Sequence, residues 1–366
     1  MKYLTPLVKQ FAEEEAPNLV KMFSDYYNRT RTEKGAVGLS YDSSLSKDEL
    51  STAINKAFVE VVGKQSKYTL ADFGGQVAQY AQSPMVRTFA DSNINMLVDM
   101  ILPDIKDSAL GLIADFRFGG FNDSFTFKLK NNGLLRVSKA GYRQRTTPAQ
   151  RLYDTEESLI PVNHQVTVQT TFYDIITGRD SLAEQVMRAI LSIKADMIGE
   201  TIEAFKGAFT AVTVPTQLKI ASYTEDDLIK LCQTVTAWNG GERAIIVGSP
   251  IALKSVLPLQ TGVNIMLTDD FVVKGYLPMF NGYQVVPLDP IADYASSTYG
   301  TVGLDDNLLY VVSPANGKLV KVAVGGSLTR TDALDRNANL DVETTVSKEY
   351  ATKVITNAIG GTIALS

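Results

Sequence analysis

Val162-Asn163-His164-Gln165-Val166-Thr167-Val168-Gln169-Thr170-Thr171-Phe172-Tyr173 leads through Thr177-Gly178-Arg179-Asp180 into Ser181-Leu182, and this junction decides the fold. On its first side Val162, His164, Val166, Val168, Thr170 and Phe172 alternate with polar residues. That period of two belongs to a strand with one covered face. On its second side Leu182, Val186, Ile190, Ile193, Met197, Ile198, Ile202, Phe205 and Phe209 recur at steps of three and four. That apolar stripe predicts a helix over 181–209, about 40 Å long. Asp180 and Ser181 supply N-terminal capping and a favourable dipole sign, and Gly199 leaves room for a bend or a close neighbour.

Upstream, Phe125, Phe127 and Leu129 alternate with Thr126, Lys128 and Lys130. The reading pairs this strand with Val162–Tyr173 as the two limbs of an arm over 116–175. The excursion between them is sorted by charge. Arg136, Lys139, Arg143, Arg145 and Arg151 come first, then Asp154, Glu156 and Glu157. Long loops without function are uncommon in compact domains, so these eight residues are the candidate inter-subunit contacts. The plainer alternative is a solvated hairpin tip.

Residues 1–115 read as mainly helical. Ser46-Lys47-Asp48-Glu49 is a capping box, followed by Leu50, Ile54, Ala57, Phe58 and Val61, with Gly63 expected to end the run. Further helices are expected from Thr69-Leu70 to about Gln82, closed by Pro84, and from Ser92 to Leu102, stopped by Pro103. Residues 30–44 read as a linker or mobile arm. Beyond the long helix, 222–325 alternates helix and strand. Thr224 caps a helix to Trp238, Ala244–Val247 is a strand, and Ser249-Pro250 opens another helix. Phe271–Tyr276 and Tyr283–Val286 flank the turn signal Asn281-Gly282. Strands are expected at Val302, at Leu308–Val312 and, after the turn Ala315-Asn316-Gly317-Lys318, at Leu319–Val324. Asp341–Val346 and Glu349–Ile355 read as two more, ending near Gly360-Gly361.

Composition narrows the function. The chain has 366 residues, so two or three modules are expected, and 45% hydrophobic with 20% charged content is globular. A formal net charge of −5 does not favour tight wrapping around nucleic acid. The single cysteine, Cys232, rules out an intrachain disulfide and reads as a buried apolar residue. No stretch has the roughly 18 to 20 apolar residues of a membrane span. Met1–Pro6 carries no apolar signal core, which predicts synthesis in the cytosol.

Chemical motifs are sparse. His164 is the only histidine, so without His or Cys partners the usual zinc sites are not expected. No G-x-x-x-x-G-K-[ST] loop and no supported Ser-His-Asp or Cys-His arrangement is present. Gly248-Ser249-Pro250 is explained by capping, and Asp269-Asp270, Asp289 and Asp305-Asp306 by turns and caps. The expectation is a protein that is not an enzyme and has no cofactor or metal.

The order of these patterns resembles the major capsid proteins of tailed bacterial and archaeal viruses, the Hong Kong 97-like coat fold. The arm at 116–175 looks like that family's extended loop (its E-loop). Thr177-Gly178-Arg179-Asp180-Ser181-Leu182 resembles the opening of its spine helix. Ala244–Pro250 is similar to the first strand–helix unit of its axial domain, and Phe280-Asn281-Gly282-Tyr283-Gln284-Val285-Val286 to its hairpin. Val302-Gly303-Leu304-Asp305 with Leu309–Val312 resembles the next strand pair, at looser spacing. The resemblance covers about 90–366 and implies an α+β fold. Its parts would be an N-terminal arm (1–90), a peripheral domain (91–115 and 176–221, spine helix about 181–209), the extended loop (116–175), an axial domain (222–325) and return strands (326–366). It implies self-assembly into pentamers and hexamers of an icosahedral shell around double-stranded DNA, in a virion assembled in the host cytoplasm. Portal, scaffolding or decoration proteins would be further partners. An encapsulin-like compartment shell and an α/β enzyme or ligand-binding domain are the alternatives. Lys128, Lys130 and Lys139 sit in the arm, but nothing identifies a crosslinking partner.

Overall fold

The computed structural model describes residues 6–30, 45–67, 84–107, 110–120, 123–129, 135, 137–139, 151, 153–171, 181–210, 216–256, 274–293, 300–314, 318–331 and 341–365. The helix expected at 70–82, the junction 177–180 and the turn residues 315–317 lie outside them.

The frame is a 29-residue helix, Leu182–Thr210, which runs about 43 Å at roughly 1.5 Å per residue. Its cap is local: the Glu184 amide donates to Ser181 Oγ at 3.2 Å. Val186, Ile190, Ile193, Met197, Ile202, Phe205 and Phe209 are all buried, as the stripe requires. The N-terminal helices pack onto the same core. Leu19, Phe23 and Tyr27 from helix Pro17–Thr30, and Leu50, Ile54 and Phe58 from helix Lys47–Ser66, share one apolar cluster with the long helix. Lys194, buried on the long helix, donates to the Tyr27 hydroxyl at 3.3 Å.

Two expected helix ends move. The capping box at Ser46 forms, with the Glu49 amide on Ser46 Oγ and the Ser46 amide on Glu49 Oε2. Gly63, however, is buried inside that helix, and the stop comes at Lys67 in a left-handed conformation (φ 63°). Pro84 opens a helix, Pro84–Ile101, eight residues ahead of the expected start at Ser92, while the helix it was expected to close lies outside the described residues. Proline suits a first turn, where its missing N–H has no partner to lose.

Four strands form one sheet: β1 (Ala114–Phe118), β12 (Val320–Thr331), β13 (Asp341–Val354) and β4 (Val162–Thr171), in that spatial order. A separate hairpin joins β2 (Phe125–Leu129) and β3 (Thr155–Leu159), antiparallel from Phe125↔Leu159 to Leu129↔Thr155. Here the expectation fails. The alternating segment from Val162 is not the return limb of the arm; it pairs with β13, from Val162↔Tyr350 to Thr171↔Asp341. The true return limb, Thr-Glu-Glu-Ser-Leu, carries too little alternation to announce itself, and only Leu159 in it is buried. The two strands expected at 341–346 and 349–355 are one continuous strand, and Leu319–Val324 is the first half of a twelve-residue strand with a register shift between Val324 and Ser327.

A six-stranded sheet follows the order β5 (Lys219–Ile220), β14 (Gly361–Ala364), β11 (Leu308–Val312), β6 (Ile245–Gly248), β8 (Tyr283–Pro287), β7 (Met279–Phe280). A two-stranded pair, β9 (Ile291–Ala292) with β10 (Thr301–Val302), lies beside it in sequence. Residues 274–276 are not strand; the partner of β8 is Met279–Phe280, and Asn281 (φ 48°) and Gly282 (φ 81°) make the two-residue turn. The apolar runs of this sheet are buried on both faces. Ile245, Val247, Val286, Tyr310 and Val312 face the cluster of the long helix, while Ile246, Val285, Leu309 and Val311 face helices Glu225–Trp238 and Pro250–Leu253. Burial on both sides explains near-continuous hydrophobic strands. Thr224 and Ser249 cap those two helices, each accepting an amide at 3.1 Å.

The C-terminal strand closes this sheet at a tight point. A Cβ on Gly361 would stand 2.7 Å from both the Leu218 carbonyl oxygen and Leu231 Cδ1. Gly361→Ala is therefore expected to destabilise the subunit by about 1–3 kcal/mol in urea unfolding, because backbone must move to admit the methyl.

Candidate inter-subunit interface

The arm's base is built by one face of the β2–β3 hairpin. Phe125, Phe127, Leu129 and Leu159 are buried against Ala323 of β12 and Ile355. Polar contacts pin the root. Arg117 Nη1 donates to the Thr126 carbonyl at 2.7 Å and its guanidinium lies 4.2 Å from the Phe127 ring centroid. Lys321, buried beneath the hairpin, pairs with Asp115 at 3.5 Å. Burial lowers the Lys321 ammonium's pKa, and Asp115 opposes that shift. Lys353 of β13 bonds Glu157. The hairpin is thus fixed to the four-stranded sheet, on the face opposite the long helix.

The eight charged candidates separate. Arg136, Arg143 and Arg145 lie outside the described residues. Lys139, Arg151, Asp154 and Glu156 are exposed, with Arg151 over the ring of Tyr153 at 4.8 Å. Glu156 sits opposite Lys128 across the hairpin at 2.9 Å, and Glu157 meets Lys353. The hydrogen bond to Glu156, then its charge, raises the Lys128 pKa. These two acidic residues therefore have partners within the chain, in solvent-exposed pairs of the weak, exchangeable kind.

Charge patterning overlooked an apolar set. Leu135 is 56% exposed, Val137 94%, Tyr153 63%, Ile160 71% and Val162 62%, all within the excursion or at its foot. The signal was present in the sequence, since Leu135 and Val137 interrupt a polar stretch two residues apart. Trp238, Ile251 and Met279 add exposed apolar side chains on the six-stranded unit. Cys232 is buried and its thiol is pushed up to about 12 by that burial, so it is an inert core residue. Asp305 accepts from the Asn307 amide at 3.0 Å, a turn role. Among the described residues no helix is long and apolar enough to cross a membrane.

His164 is less isolated than its sequence suggests. It stacks on Tyr350, with ring centroids 3.7 Å apart, and faces two carboxylates of the long helix, Asp196 and Glu200.

No protein-family model matches the chain, and no curated protein matches it in sequence. Among solved structures it is similar to a chain of the bacteriophage PhiM1 mature capsid, at 14% identity and TM-score 0.46, over 69% of this chain and 86% of that one. It is similar to a capsid chain of a native GTA particle at 12% identity and TM-score 0.47, over 70% and 90%. A virus-like particle chain from Pyrococcus furiosus matches at 12% identity and TM-score 0.41, over 72% and 96%.

Proposed function

We propose that this chain is a major capsid protein of the Hong Kong 97 type, a structural subunit that assembles with copies of itself into pentamers and hexamers of a closed shell around double-stranded DNA. The observation that supports this most is the arm. Its root is fixed by buried Phe125, Phe127, Leu129 and Leu159, while Leu135, Val137, Tyr153, Ile160 and Val162 stand in solvent. Singly scattered exposed apolar residues are ordinary, but Leu135, Val137 and Tyr153 on one anchored excursion, with Ile160 and Val162 just beyond its foot, fit a surface that another protein covers. In the assembled shell the arm lies over the adjacent subunit. Arg136, Lys139, Arg143, Arg145 and Arg151 meet acidic surface there, and Asp154, Glu156 and Glu157 exchange their partners for basic ones. Repeated heterologous contacts closed by rotation give a shell, and many modest contacts per subunit multiply through multivalency. The six-stranded unit takes the axial position and the four-stranded sheet with the long helix the peripheral one.

Negative-stain electron microscopy of the full chain over a range of concentrations tests this. Closed particles or capsomer rings are expected, and nuclease-protected DNA inside them separates a capsid from a cargo compartment. Leu135→Asp with Val137→Asp is expected to remove the particles while leaving the thermal midpoint of the subunit within about 1 °C, since exposed substitutions change stability by about 0.5 kcal/mol or less. Particles that form normally in that double variant would remove the arm from the interface. A monomer at every concentration, with or without co-expressed assembly partners, would overturn the shell reading.

A further inference from the structure

The cluster around His164 has the composition and the supporting bonds of a divalent-metal site. His164 stands on β4, and Asp196 and Glu200 stand one turn apart on the long helix. His164 Nδ1 is 3.4 Å from Asp196 Oδ2, and Nε2 is 3.7 Å from Glu200 Oε1. One ligand atom from each of the three residues falls within 4.8 Å of the others. The two contacts use different ring nitrogens and an imidazole gives one nitrogen to an ion, so one ring nitrogen and one oxygen of each carboxylate must draw in from within 4.8 Å to the roughly 3.0–3.4 Å that an ion about 2.1 Å from each requires.

A second layer points the same way. Strand β13 sends a hydroxyl to each carboxylate. Tyr350 donates to Asp196 Oδ2, and Thr352 Oγ1 donates to Glu200 Oε2 at 3.3 Å. The Tyr350 ring lies nearly parallel to the imidazole, at an interplanar angle of 13°, and fixes its orientation. Outer partners that orient a histidine and its companion carboxylates are characteristic of metal sites.

We propose that His164, Asp196 and Glu200 bind one divalent transition-metal ion of the Zn2+ or Mn2+ class, clamping the long helix to the four-stranded sheet. One imidazole with two carboxylates suits these borderline ions better than Mg2+ or Ca2+, which take oxygen ligands alone. Asp196 is 60% exposed at its side chain, which gives the ion an entry path and lets water complete its shell. The site stands on β4 and the long helix rather than on the β2–β3 hairpin, so its failure leaves the shell reading standing.

Calorimetric titration of the full chain with ZnCl2 near neutral pH tests the site. With one histidine and one buried cysteine, background uptake is small. One saturable ion per chain is expected. His164→Phe keeps a ring for the Tyr350 stack but removes both nitrogens, and it is expected to abolish that uptake. Asp196→Asn is expected to do the same should His164→Phe not fold. Tyr350→Phe keeps the stack, loses the hydroxyl, and is expected to weaken the ion by about 10–100-fold. No saturable uptake by the unaltered chain, or undiminished uptake by a folded His164→Phe or Asp196→Asn, overturns the proposal.

Discussion

Replacing residues 130–154 by an Asn-Gly turn is expected to abolish shell formation while leaving a folded, soluble subunit. The register sets the cut. Leu129 and Thr155 are direct cross-strand partners, so a two-residue type I′ turn closes the hairpin without loss of its ladder. Phe125, Phe127, Leu129 and Leu159 then remain seated on Ala323 and Ile355. A deletion carried through Ser158 would instead remove most of β3 and unseat that cluster, mixing a folding defect with an assembly defect. The expected readouts are an unchanged or slightly raised thermal midpoint, since a shorter loop costs less to close, and no rings or particles by electron microscopy. Normal particles from this variant would show that the arm is dispensable.

Phe205→Ala is expected to cause the largest loss of stability from a single side chain. Phe205 is fully buried where the long helix meets the six-stranded sheet. Its ring centroid lies 5.1 Å from Phe209 and 5.3 Å from Tyr310 of β11, and Phe209 lies 5.2 Å from Tyr310. Removing one ring of this mutually packed triad leaves a cavity that a helix and a sheet cannot both collapse into. The expected cost is about 3–5 kcal/mol, read as a fall in the urea midpoint and a thermal midpoint lower by on the order of 5–10 °C. Trp238→Ala is the control. Trp238 is 68% exposed, and its loss is expected to shift stability by about 0.5 kcal/mol or less. Equal effects from the two substitutions would mean that the long helix and the sheet are not energetically joined at Phe205.

Much of this architecture was legible in the amino-acid order because the relevant physics is local. The stripe from Val186 to Phe209 specifies a long helix with one buried face, and Ser46, Ser181, Thr224 and Ser249 each mark a helix start by a cap that forms. Asn281-Gly282 marks its turn because both residues tolerate positive φ. Alternation also identified Phe125–Leu129 and Val162–Thr171 as strands. The tertiary structure alone decided their partners. A period of two states which face is covered, not by what. Val162–Thr171 therefore joins β13, nearly 180 residues away, while the weakly patterned Thr155–Leu159 closes the hairpin because it is tethered opposite β2. The same distinction governs the candidate sites. The charge order of the arm is a property of the chain, and the apolar exposure of Leu135 and Val137 is a property of the fold. His164 has no partner within reach in sequence; Asp196 and Glu200 reach it because packing lays the long helix against the sheet. Contacts between residues far apart in the chain depend on how whole elements dock, and no local periodicity encodes that.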